Sequence, residues 1–87
     1  MATIDITGGP SKDELVSRML SNLPVTFLTV GGSTEILIEE IRETDASRNR
    51  LALIGRVVVG AQTGARVEGQ YDCQRMIGTM AVASNGP

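Results

Sequence analysis

The side chains that most often do chemistry are scarce in this sequence. Histidine is absent, which removes the commonest general base and metal ligand. A Ser–His or Cys–His nucleophile pair is thereby excluded. Cys73 is the single cysteine. It is expected at an inward-looking strand position beside Tyr71, where a structural thiol is the reading rather than a reactive one. One cysteine without histidine cannot build the usual zinc frameworks, so neither a metal nor a cofactor is expected. Glu39 and Glu40 are adjacent, and adjacent strand residues face opposite ways. They read as solvent-facing or bulge residues rather than as a catalytic carboxylate pair. Gly31-Gly32 lacks the spacing and the following helix of a phosphate loop. Gly8-Gly9-Pro10 does lead into a helix N-terminus, where anions bind, but Ser11 and Glu14 are placed to satisfy those donors. The expectation is a protein that is not an enzyme.

The arginines are the remaining chemical resource. Seven of the eight basic residues are Arg and only Lys12 is Lys; Arg favours planar, bidentate contacts to carboxylate or phosphate. Glu35 to Asp45 carries five acids against one arginine, a local charge of -4. Arg48 to Arg75 carries five arginines against Glu68 and Asp72, a local charge of +3. The whole chain is at -2, which disfavours a general electrostatic nucleic-acid binder. Opposed patches of this kind serve either as a solvated mixed surface or as complementary faces that meet between copies of the protein. Arg48 and Arg50 are placed in a loop. Arg56, Arg66 and Arg75 are placed on strands that could be neighbours. Single-strand nucleic-acid binders add aromatic stacking platforms. Here the aromatics are Phe27 and Tyr71 alone, both at positions expected in the core.

The elements that must hold these residues follow from periodicity. Residues 1–10 read as an N-terminal arm, compatible with a short strand over Thr3 to Thr7, and end in the loop signal Gly8-Gly9-Pro10. Ser11-Lys12-Asp13-Glu14 has the capping-box form, with Asp13 and Glu14 suited to the positive helix end. Leu15, Val16, Met19, Leu20 and Leu23 then recur at helical spacing, and Asn22 and Pro24 stop the run. The spacing predicts a helix over 11–23.

After Pro24 the period changes to two, and strands are predicted through residues 25–82. Val25 to Val30 is the first strand. Thr34 to Thr44 is long, and its apolar residues change parity, which a bulge near Glu39-Glu40 would repair. Leu51 to Val59 is a nearly continuous apolar strand, Arg66 to Gln74 alternates cleanly, and Arg75 to Val82 closes the set. Gly55, Gly69 and Gly78 fall inside strands, as a small, sharply curved barrel requires. Residues 83–87 read as a flexible tail.

The whole is expected to be a single α+β domain: an N-terminal helix followed by a five-stranded, strongly bent antiparallel sheet or small barrel. An open sheet with the helix packed on one face is the alternative. A chain of 87 residues has one core, and without disulfides that core is marginal. Self-association is a common remedy. With one cysteine, no export-like leader and no run near the ~20 apolar residues of a membrane span, a cytoplasmic protein without a membrane partner is expected.

Helix, five strands and a long bent second strand resemble the Sm-like small-barrel family. In the loop between strands two and three, Asp45-Ala46-Ser47-Arg48-Asn49 has the Asp-to-Asn spacing of that family's first motif, followed by the apolar strand Leu51-Ala52-Leu53. Met76-Ile77-Gly78 stands in the place of its second motif. The resemblance implies a homo-oligomeric ring in which the last strands pair between neighbours and Asp45 and Asn49 line a pore. Ser47 stands where the family has its stacking side chain, and Ile77 where it has its Arg. Strand two has Ile36 and Ile38 where the family carries a glycine. RNA binding is therefore implied to be weakened or lost.

Three functions follow as expectations. The first is a non-catalytic, self-associating binding or assembly module. The second is an Sm-like RNA-binding protein using Asp45, Arg48, Asn49, Arg50 and Arg75. The third is a small-ligand site or enzyme built on Tyr71, Asp72 and Arg75.

Overall fold

The structure, a computed structural model, describes residues 2–45, 47 and 49–83. The order of elements is β1 (Thr3–Thr7), α1 (Lys12–Leu20), β2 (Val25–Thr29), β3 (Gly32–Asp45), β4 (Arg50–Val59), β5 (Arg66–Asp72) and β6 (Ile77–Val82). The strands close into an antiparallel barrel in sequence order.

Six strands are present among the described residues, where five were expected. The residues read as an arm form β1, which pairs along its whole length with β6, from Thr3 opposite Ala81 to Thr7 opposite Ile77. Ile6 is fully buried while Thr3, Asp5 and Thr7 face out. This is the alternation of a strand with one buried face. On its other side β1 meets β2 at a single register pair, Thr7 opposite Leu28. The barrel therefore closes across a narrow seam, and the open sheet is excluded.

Helix α1 is shorter than its predicted span. Ser11 is its N-cap rather than its first residue, and the Ser11 hydroxyl accepts from the Glu14 N–H at 3.3 Å. Asn22 takes the left-handed conformation (φ 57°), and helical geometry ends at Leu20. Leu15 enters the core, and the helix packs over β3. The Lys12 ammonium is ion-paired with Glu43 of β3.

The core is Ile6, Leu15, Val25, Phe27, Ile36, Ile38, Leu51, Leu53, Val57, Val67, Tyr71 and Met80. Strand β3 changes register on β4 between Ile38 and Glu40. Glu39 is thus the extra residue of a bulge, which returns Ile41 to the side facing Leu53. The inward positions Gly69 and Gly78 are where β5 and β6 press together. A Cβ on Gly69 would lie inside the Thr79 carbonyl and 2.7 Å from Met80 Cα, and one on Gly78 would lie 2.9 Å from Tyr71 Cα. Neither position has room for a side chain.

Candidate functional site

At one end of the barrel the β3–β4 connection and the turn between β5 and β6 lie against each other. The Cys73 N–H donates to the Asn49 carbonyl at 3.1 Å, and register places Asp45, Arg50 and Asp72 side by side across three strands. Asp45 is the last residue of β3, and its Oδ1 accepts from the Ser47 N–H at 3.2 Å and from the Ser47 hydroxyl at 2.7 Å. Asn49 turns the chain into β4 with φ 52°, a conformation Asn tolerates better than most residues. Arg48 lies outside the described residues.

Three placements differ from the expectation, those of Arg50, Arg75 and Cys73. Arg50 opens β4 rather than lying in the loop, because its backbone pairs with Asp45 and Asp72. Arg75 is in the turn rather than on the last strand. Asp72 is the reason: its Oδ1 accepts from the N–H groups of Gln74 and Arg75 at 2.9 and 3.0 Å, and its carbonyl accepts from Met76 N–H at 2.8 Å. Such an Asx-type turn competes with strand. Met76 is carried into the left-handed region (φ 60°), so β6 begins only at Ile77. Cys73 also sits in this turn, half-buried against the core, and burial pushes its thiol above the ordinary value.

The carboxyl of Asp72 is held below its ordinary value, first by the Arg75 N–H, then by the Gln74 N–H and by the Arg50 and Arg75 charges. Arg50 Nε lies 3.7 Å from Asp72 Oδ2. The sign of the consequence is fixed. A carboxyl whose folded value is depressed stabilises the fold at pH above its unfolded value, and that contribution is lost as pH falls through the folded one. Wild-type stability is therefore expected to decline as pH drops below the ordinary value of 3.8. The variant Asp72→Ala should be less stable near neutrality and show a shallower acid decline, read by thermal unfolding against pH.

Outward from this corner runs a groove of about 590 Å³. Register gives its layout as a row of side chains around the barrel, Arg50, Asp72, Ile77 and Thr7, with Leu28 next beyond it. A second row, Gln70, Thr79 and Asp5, lies beside it. Gly69 and Gly78 contribute backbone to the floor. A smaller groove of about 340 Å³, reaching Glu40 and Arg42, shares Gly69 and Gln70 with it. The groove is balanced in charge, with Arg50 and Arg75 against Asp5 and Asp72. Beside it three large apolar side chains face solvent: Leu28 at 54%, Met76 at 46% and Ile77 at 45% exposure.

Of the five predicted site residues, Arg50 and Arg75 line the groove. Asp45 and Asn49 stand behind it in the same corner, where they shape the loop. The third option, Tyr71 with Asp72 and Arg75, is divided. Tyr71 is 1% exposed, and its ring packs edge-on to Phe27 with centroids 5.4 Å apart. Its hydroxyl is turned in beneath Gly9 and has no well-formed hydrogen bond among the described residues. Burial pushes the phenol above its ordinary value. Both aromatic rings of the chain are therefore inside, and neither offers a stacking surface. Sequence reasoning missed Thr7, Leu28, Gln70, Ile77 and Thr79 as a surface. The signal was present only as outward parity on four separate strands.

Among the described residues, no cluster of three or more Cys, Asp or Glu side chains is arranged to hold a metal ion. Among those residues, too, no helix is long and apolar enough to cross a membrane. No protein family, no curated protein and no solved structure matches the chain.

Proposed function

We propose that the chain is a non-catalytic binding and assembly module whose partner is protein, and specifically further copies of itself. The observation that carries this reading is the composition of the groove. Two arginines are balanced by two aspartates, and three exposed apolar side chains adjoin them. A nucleic-acid groove gathers net positive charge and stacking rings. A protein interface combines apolar contact with paired charges of both signs and a polar rim. This surface has the second composition. The RNA-binding alternative retains Arg50 and Arg75 but finds no aromatic partner for a base.

The finer reading, an Sm-like ring, is supported by the order of β2 to β6 and by the Asp45-to-Asn49 spacing. Strand β6, however, has β5 on one side and β1 on the other. The edge through which such a ring would join its subunits is filled within the chain. Assembly in this reading therefore uses side-chain faces rather than strand edges.

The test is sedimentation of the wild type and of Ile77→Asp in moderate salt. The wild type is expected to gain mass with concentration. The variant places a carboxylate beside Asp72 and is expected to stay monomeric with an unchanged circular-dichroism spectrum. A wild type that is strictly monomeric at tens of micromolar overturns the reading. Retention of short U-rich or A-rich RNA on a filter at low salt would turn the assignment to the RNA alternative.

A further inference from the structure

Resting on the self-association just proposed, we infer that the groove of one copy receives helix α1 of the next, so that assembly is head-to-tail. The motivating feature is a second exposed surface, on α1, where Glu14 has, among the described residues, only Arg18 of its own helix, 4.0 Å away, as an ion-pair partner. Leu20 is 77% exposed, and Leu23, just beyond the helix, is 50% exposed. Asp13 and Glu14 are exposed at the other end of the same helix. Asp13 and Leu20 are seven residues apart and so share one helix face, separated by about 10 Å at 1.5 Å per residue.

The groove has the complementary arrangement at the same scale. Ile77 is its apolar end and Arg50 its cationic end, with Arg75 in the turn beside Asp72. From Ile77 through Asp72 to Arg50 is two strand spacings, again about 10 Å at 4.7–4.9 Å each. Leucine on the helix meets the apolar end while the acidic first turn meets the arginines. Arg75 has greater freedom than Arg50, whose Nε already faces Asp72.

The polarity is consistent on both sides. The first turn of a helix takes acidic residues by preference, and here that turn points at guanidinium groups that pair well with carboxylates. A second copy's groove would meet this one about a two-fold axis, whereas the helix sets an acidic end against the arginines and an apolar end against Ile77. The two faces are different surfaces of one chain, so the contact is heterologous and leads to a closed ring or an open chain of subunits. A face two helical turns long is smaller than a standard interface of about 800 Å² per partner. Each single contact is accordingly weak and concentration-dependent.

The experiment uses two variants, each spoiling one face: Leu20→Lys on the helix and Ile77→Asp at the groove. Both positions are exposed, and an unchanged circular-dichroism spectrum confirms folding. Each variant alone is expected to remain monomeric in sedimentation. An equimolar mixture retains one intact helix face and one intact groove, and is expected to form a complex of two chains and nothing larger. If Leu20→Lys assembles like the wild type while Ile77→Asp does not, the groove has another occupant and the helix assignment is overturned, with the self-association reading left standing. If both variants are monomeric and the mixture forms no complex, the head-to-tail arrangement is overturned. A wild type that never assembles removes the underlying reading instead.

Discussion

Gly69→Ala is expected to unfold the barrel or leave it barely stable. The added Cβ would overlap the Thr79 carbonyl and sit 2.7 Å from Met80 Cα, and both are backbone atoms of the adjacent strand. A flexible side chain could swing away, but a strand held by pairs on both sides cannot. Overpacking a core costs about 1–3 kcal/mol, and more where the backbone must move. The whole stability of a small domain is about 5–15 kcal/mol, with the smallest domains near the lower end. A loss of at least about 3 kcal/mol is therefore expected, read as a lower urea midpoint. Gly31→Ala is the matching control. Nothing lies within 4 Å of its added Cβ, so its midpoint should stay close to wild type. Equal midpoints for the two variants would mean that β5 and β6 are not pressed together at this point.

Phe27→Ala should be nearly as damaging, by a different route. Phe27 is fully buried, its ring packs on Tyr71, and the backbone of Gly9 lies against its edge. Truncation removes the contact that ties β2, β5 and the segment after β1 together. Replacing a buried Phe by Ala typically costs about 3–5 kcal/mol, from lost transfer free energy and the cavity left behind. In a domain with no second aromatic layer, that consumes most of the available stability. Because Tyr71 is the only tyrosine and the chain has no tryptophan, its near-ultraviolet signal reports the same site. Loss of that signal together with a lowered thermal midpoint is the expected pair of results.

Much of the fold was legible where information is local. The capping box at Ser11 and Glu14 located the start of α1 because the bond that makes it spans three residues. The bulge at Glu39 was legible because β3 changes parity in its own apolar pattern. Strand β1 was underweighted because Thr3 to Thr7 carries only two apolar residues. Its decisive partner is β6, which lies seventy or more residues along the chain, and no local pattern records that pairing. The alternation of Ile4 and Ile6 with Thr3, Asp5 and Thr7 was the available signal.

The site divides the same way. Arg50 and Arg75 were singled out by residue type. Their shared groove depends on register across β4, β5, β6 and β1, and on a turn that Asp72 imposes at the expense of strand. Met76 shows the cost of reading parity alone, since a left-handed turn residue cannot continue a strand. The surface on which the proposed protein partner rests is made of Ile77, Thr7 and Leu28. Each of these is unremarkable in its own strand and meaningful only as a row.

The central claim is that the chain binds copies of itself through the groove over β5, β6 and β1. Backbone amide chemical shifts followed from micromolar to millimolar protein test it most directly. The account predicts concentration-dependent shifts concentrated at Arg50, Gln70, Asp72, Arg75, Ile77 and Thr79 of the groove and at Asp13 and Leu20 of α1. Shifts that do not change with concentration, or that change only on surfaces away from these residues, would contradict it.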